Sequence, residues 1–85
     1  MEERRELLEK IDKKMQDNEW DFVGVIMDYN KAWKGQAPVY KKNGHYIVSG
    51  LDSTGDKELL EPIDEKEAER KTKESLTKIT KLMIK

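Results

Sequence analysis

The dipeptide Asn43-Gly44 constrains the fold of this chain more than any other feature of its sequence. Asn and Gly tolerate the positive φ angles that a two-residue type I′ turn requires, and they stand between two runs rich in β-branched and aromatic residues. We therefore predict a tight β-hairpin over residues 38–50, with Tyr40 opposite Ile47. An antiparallel sheet then lies at the centre of the fold.

A helix is predicted on the N-terminal side of the hairpin, over residues 2–17. Its large apolar residues fall within one narrow arc at about 100° per residue, which is typical of a helix with a single core-facing stripe. These residues are Leu7, Leu8, Ile11 and Met15. The polar face carries charges of both signs, unlike a helix that binds a membrane surface.

Residues 20–29, WDFVGVIMDY, fit either a strand or a helix. Phe22, Ile26 and Tyr29 recur at helical spacing, but Val, Ile and Phe favour a strand and Gly24 weakens a helix interior. We favour the strand. Its two faces are both apolar, which predicts a central strand covered on both sides.

The C-terminal part of the chain is predicted to form a short strand and a long helix. The short strand covers residues 57–61, and Pro62 limits it. Asp64 followed by Glu67 resembles a capping box that opens a helix over residues 65–84. Because the first half of this helix is almost wholly polar, we expect its last two to three turns to dock on the sheet.

The order helix, strand, hairpin, short strand, helix predicts a single α+β domain of 85 residues. An antiparallel sheet of three to four strands carries an N-terminal and a C-terminal helix packed on it. A core of this size supplies only about 3–5 kcal/mol, so we expect a homodimer or an obligate complex with a larger protein.

Composition argues against several classes of function. The chain has no cysteine and one histidine, which speaks against disulfides, thiol catalysis and metal sites, and no phosphate-binding loop is present. No apolar run approaches the roughly 18 residues of a membrane span. We expect no cofactor, no membrane partner and a cytoplasmic location. His45 and Ser49 lie in or beside an exposed hairpin, so we expect no enzymatic activity.

The stretch from residue 29 to residue 51 is the most function-like part of the sequence, because it holds four lysines and no acid. Flat aromatic rings alternate with this positive charge. The lysines are suited to neutralising phosphates and the rings to stacking on unpaired bases, which indicates RNA or single-stranded DNA. The lysines are Lys31, Lys34, Lys41 and Lys42. Acidic segments on both sides of the stretch oppose this interpretation.

The same stretch is also compatible with binding to another protein, which requires fewer specific features than binding to nucleic acid. Trp33, Tyr40 and Tyr46 are then the candidate partner contacts, with Trp33 as the anchor. Each ring also has an alternative place in the core, and for Trp33 folding back is the safer expectation because tryptophan is costly to leave in water.

In size and composition alone, the chain resembles the compact accessory and inhibitor proteins made by bacteriophages and other mobile elements. This resemblance implies inhibition or regulation of a larger host or defence protein. We therefore favour a non-enzymatic protein-interaction module. Binding of RNA or single-stranded nucleic acid through the basic, aromatic hairpin is the alternative.

Overall fold

In a computed structural model, which describes the backbone of residues 2–83 and the side chains of residues 3–77, a four-stranded antiparallel sheet lies between two helices. The predicted α+β class, with the terminal helices packed on the sheet, is confirmed. The elements in chain order are α1 (Glu2–Asp17), β1 (Asp21–Ile26), β2 (Ala37–Lys42), β3 (His45–Val48), β4 (Glu61–Ile63) and α2 (Glu65–Met83). Residue 84, where the predicted C-terminal helix ends, lies outside the described residues.

The β2–β3 hairpin forms around the predicted turn. Asn43 and Gly44 have φ angles of 50° and 80°, the left-handed values that a type I′ turn requires. Tyr40 pairs with Ile47, as the two-residue turn predicts. The turn therefore determines the register of the whole hairpin.

Each face of the sheet carries one helix, because alternate strand residues point to opposite sides. On the α1 side, the buried residues are Ile11, Met15, Tyr40 and Leu51. On the α2 side, they are Ile26, Ala32, Ala37, Val39, Tyr46, Val48, Leu59 and Ala68.

Residues 21–26 form the predicted strand, but its predicted central position is wrong. The strands follow one another in the order β1-β2-β3-β4, so β1 is an edge strand. Its residues are apolar on both faces because a helix packs on each side of the sheet. Phe22 is nevertheless 55% exposed and Val23 36%.

Docking of α2 begins earlier in the helix than predicted. Ala68 in the polar first half is fully buried against the sheet, and Ser75, within the last three turns that were expected to dock, is 4% exposed. A Cβ on Gly24 would lie only 3.3 Å from Thr72 Cβ, so the helix approaches β1 closely at a residue without a side chain. Close packing of small groups therefore docks this part of the helix. The side chains of residues 78–83 lie outside the described part of the helix.

The last strand lies further along the chain than predicted, at Glu61–Ile63 instead of residues 57–61. Leu51 and Glu58 form only an isolated bridge. Pro62 is accommodated because β4 pairs with β3 on one side only. Within residues 2–83, no helix has the length and apolar character needed to cross a membrane.

Asp64 caps the N-terminus of α2, as the sequence predicts. Its Oδ2 accepts a hydrogen bond of 3.1 Å from the backbone N–H of Lys66. Glu67 lies one turn below Lys71 and forms an ion pair of 3.0 Å with it. The first turn of the helix thus begins at an acidic side chain, where the helix dipole favours negative charge.

Candidate interaction site

The tyrosines of the basic, aromatic stretch connect the sheet to its neighbours. Tyr40 and Tyr46 are 1% and 6% exposed, so their rings belong to the core and are not presented to a partner. Each tyrosine hydroxyl donates a hydrogen bond to a carboxylate on another element: Tyr40 to Asp12 at 2.5 Å, Tyr29 to Glu61 at 3.0 Å and Tyr46 to Glu69 at 3.3 Å.

These surroundings shift the ionisation of two of the tyrosines. Burial, followed by the hydrogen bond to Glu61, raises the pKa of Tyr29 from 10.0 to about 12. Burial and the hydrogen bond to Asp12 raise the pKa of Tyr40 even further. Both hydroxyls therefore act as hydrogen-bond donors throughout the neutral pH range.

Trp33 folds back onto the protein. It packs half-buried against the core on the α1 side, and its backbone N–H donates to the Leu51 carbonyl at 3.0 Å. Arg4 and Lys34 cover the ring, with their cationic groups 5.6 Å and 4.7 Å from its centroid. The structure therefore places this ring on the core and not in an exposed position as a partner contact.

The four lysines of the stretch do not gather into one patch. Lys31 and Lys34 lie in the loop between β1 and β2, whereas Lys41 and Lys42 lie at the opposite end of β2. The stretch of β2 from residue 37 to residue 41, which lies between the two pairs, spans roughly 13 Å at 3.3 Å per residue.

All four lysines contact other groups of the protein, Lys34 through the Trp33 ring that it covers. Lys31 forms an ion pair of 3.4 Å with Glu61. Lys42 donates to the Asn18 carbonyl at 2.7 Å. The Lys41 ammonium group lies 5.7 Å from the centroid of the Tyr46 ring. The stretch thus presents two small cationic groups whose charge is partly engaged within the fold.

The polar side chains that could serve catalysis also lie far from one another. His45 is exposed beside the hairpin turn, while Ser49 is fully buried beyond the other end of β3. Asp52 organises its own turn, because its Oδ1 accepts hydrogen bonds from the Thr54 hydroxyl at 2.7 Å and the Gly55 N–H at 3.1 Å. The Thr54 hydrogen bond is the main cause that lowers the pKa of Asp52 below 3.8.

Strand β1 and helix α2 form an exposed apolar groove between them. It has a volume of about 430 Å³ and is called the β1–α2 groove below. Its lining residues are Phe22, Val23, Gly24, Val25, Thr72, Lys73 and Leu76. Leu76 is 64% exposed. The surface thus combines an unpaired strand edge with exposed apolar side chains.

The local sequence accounts for the shape of this groove. Val23 stands in a bulge, because the register with β2 shifts between Phe22 and Gly24. The Phe22 ring packs edge-on against Tyr40 at 5.7 Å, on the α1 side of the sheet. Leu76 lies on the other side, one turn beyond Thr72 on α2. The open edge therefore has an apolar residue on each side.

Sequence reasoning missed Phe22 and Leu76 as surface residues. Both belong to apolar patterns that were assigned to the core, and only the strand order shows that β1 has no neighbour on its outer side. A usable signal was present in Gly24 and Ser75, small residues that indicate a close crossing of helix and strand.

Comparison of the chain with protein-family models, with curated proteins and with solved structures gave no match. The function proposed below therefore rests on the geometry and chemistry of the described residues.

Proposed function

We propose that this protein is a non-enzymatic protein-interaction module that inhibits or regulates a larger protein, which it binds through the β1–α2 groove. One observation carries the proposal: Phe22, Val23 and Leu76 expose 55%, 36% and 64% of their surface around one groove at the edge of the sheet. Contiguous exposed apolar surface on a small protein marks an interaction site.

The energetics favour a protein surface as the ligand. Burying a Phe or Leu side chain that was exposed contributes about 1.5–3 kcal/mol. Phe22 and Leu76 together therefore supply a substantial part of the binding free energy of a transient complex. An exposed aromatic side chain on such a surface is suited to act as an anchor, a role that we assign to Phe22 in place of the covered Trp33.

Affinity capture tests the proposal. The purified protein is immobilised and exposed to a lysate of cells that express it natively, and the captured proteins are identified by mass spectrometry. Phe22→Lys and Leu76→Lys are run in parallel. Leu60→Lys is the matched control, because Leu60 is 56% exposed, close to the value for Phe22, and precedes β4 at the opposite edge of the sheet.

We expect one protein to be captured by the unmodified protein and by Leu60→Lys and to be lost with both groove variants. Removing an anchor side chain costs at least about 2 kcal/mol, or roughly thirtyfold in affinity. Capture that is identical for all four baits, or no capture by any bait, contradicts the proposal. Thermal melting of each variant establishes that it is folded.

A further inference from the structure

The outer edge of β1 has backbone groups directed away from the sheet. Val25 lies opposite Pro38, which has no N–H and whose carbonyl accepts from Ser49 at 2.8 Å on the β3 side. This pair therefore exchanges no backbone hydrogen bonds, and in an antiparallel ladder Val25 directs its N–H and C=O outward. The open edge ends at Met27, whose N–H donates to the Ser75 hydroxyl at 2.8 Å.

A strand placed along this edge would find apolar contacts on both faces. Phe22 lies on the α1 side beside Tyr40, and Leu76 lies on the α2 side. The stretch from residue 22 to residue 26 spans roughly 13 Å at 3.3 Å per residue, the length of an ordinary short strand. An added segment thus receives hydrogen bonds from the edge and contacts for its alternate side chains.

A second copy of the chain does not fit this edge in the register that joins the two strands at Gly24. Each copy places Thr72 of α2 directly over its own Gly24, at 3.3 Å from the position of a Cβ. Paired strands lie about 4.8 Å apart, whereas packed helices need about 8–10 Å between their axes. Joining β1 to β1 in this register would bring the two α2 helices into collision. A strand that carries no covering helix of its own meets no such obstacle.

The charge at the groove defines the occupant further. Lys73 is the one charged side chain among the residues that line it, and it has no ion-pair partner among the described side chains. An acidic side chain on the α2 side of the added strand would neutralise this ammonium group in a partly apolar setting, where ion pairs are stronger than in water.

We propose that the β1–α2 groove binds an extended segment of the partner protein as a fifth strand, with alternating apolar side chains and one carboxylate that contacts Lys73. This inference rests on the proposed function and adds its binding mode. Strand addition derives affinity from the backbone of the edge and specificity from alternate side chains.

Peptide display supplies the probe. A library of random peptides about twelve residues long, enough to cover the strand with flanks, is selected on the unmodified protein and counter-selected on Leu76→Lys. The enriched sequences should alternate apolar residues and contain Asp or Glu. A synthetic copy of the best peptide is then methylated at one backbone nitrogen at a time.

Methylation at every second nitrogen should lower affinity by roughly tenfold or more, and methylation at the intervening positions should have little effect, because only alternate amides face β1. Lys73→Gln should weaken binding several-fold. Lys66→Gln is the control, since Lys66 is exposed on the same helix but does not line the groove.

Two results overturn the inference: an absence of enriched peptides, and a methylation profile without a two-residue period. If a partner protein is captured through Phe22 and Leu76 but the peptide experiment gives either of these two results, the proposed function stands and strand addition is ruled out. Loss of groove-dependent capture would remove both.

Discussion

Gly24 and Thr72 meet where helix α2 crosses strand β1, and no side chain separates them: a Cβ at position 24 would lie 3.3 Å from Thr72 Cβ and 3.4 Å from Cγ2. This contact sets the height of the helix above the edge of the sheet. It therefore also sets the depth of the β1–α2 groove.

Substitution of Gly24 should consequently push the helix outward. We expect Gly24→Val to lower the free energy of unfolding by about 1–3 kcal/mol, the usual cost of overpacking, in spite of the higher β propensity of Val. Thr72→Ala removes Cγ2, one of the two Thr72 atoms that the new side chain meets, and should restore part of the loss in the double variant. Urea denaturation of the four proteins measures this coupling. Additive effects would contradict the contact.

The two buried serines provide a matched pair for a second prediction. The Ser75 hydroxyl accepts from the Met27 N–H at 2.8 Å and donates to the Lys71 carbonyl at 2.9 Å. Ser49 Oγ is buried without a hydrogen-bond partner in the described structure.

We expect Ser75→Ala to cost about 1–3 kcal/mol, because it leaves the Met27 N–H without its acceptor, and Ser49→Ala to be neutral or stabilising. Chemical denaturation of both variants measures the difference. Equal losses would show that the two hydroxyls have equivalent surroundings, contrary to the structure.

The third prediction concerns Tyr40. Tyr40→Phe keeps the ring in the core but removes the hydroxyl that donates to Asp12 at 2.5 Å. Because hydrogen bonds to charged groups contribute about 1.5–3 kcal/mol, we expect a loss of stability within that range. Asp12→Asn should lose less, since the amide oxygen still accepts. If Tyr40→Phe has the same free energy of unfolding as the unmodified protein, the hydroxyl contributes nothing to the attachment of α1.

Alkaline pH should destabilise the protein through the same tyrosines. The folded-state pKa of Tyr29 is raised from 10.0 to about 12, and that of Tyr40 is also raised, so between these values the folded state binds more protons than the unfolded state. The contribution of these two tyrosines to the free energy of unfolding is therefore constant below about pH 10 and decreases as the pH rises toward 12.

Ultraviolet absorbance of tyrosinate, followed during a pH titration of the folded protein, measures these ionisations. Two of the three tyrosines should ionise late, and in Tyr40→Phe one late ionisation should disappear. Ionisation of all three rings near the ordinary pKa would contradict the burial of Tyr29 and Tyr40.

Local sequence determined most of the fold and little of the candidate site. The hairpin could be predicted because Asn43-Gly44 restricts both the turn and the register. The helices could be predicted from caps and periodicity. The position of β1 could not, because an apolar strand reads the same at the centre and at the edge of a sheet when both faces are covered. The exposure of Phe22 follows from that position.

The same limit applied to the aromatic residues of the central stretch. Tyrosine among lysines is compatible with a binding surface and with a core ring that needs a polar partner for its hydroxyl. The acids that accept these hydrogen bonds, such as Asp12 and Glu69, lie far away in the sequence. Only the folded structure brings them to Tyr40 and Tyr46.

The most direct test of the central claim, that the β1–α2 groove is the partner-binding surface, is hydrogen–deuterium exchange of the protein alone and in complex with its captured partner. We predict slower exchange on binding in residues 22–26 and 72–77, with no change at the hairpin turn around Asn43-Gly44. Protection confined to the hairpin turn, with the groove unchanged, would contradict the account and return the interface to the basic, aromatic stretch.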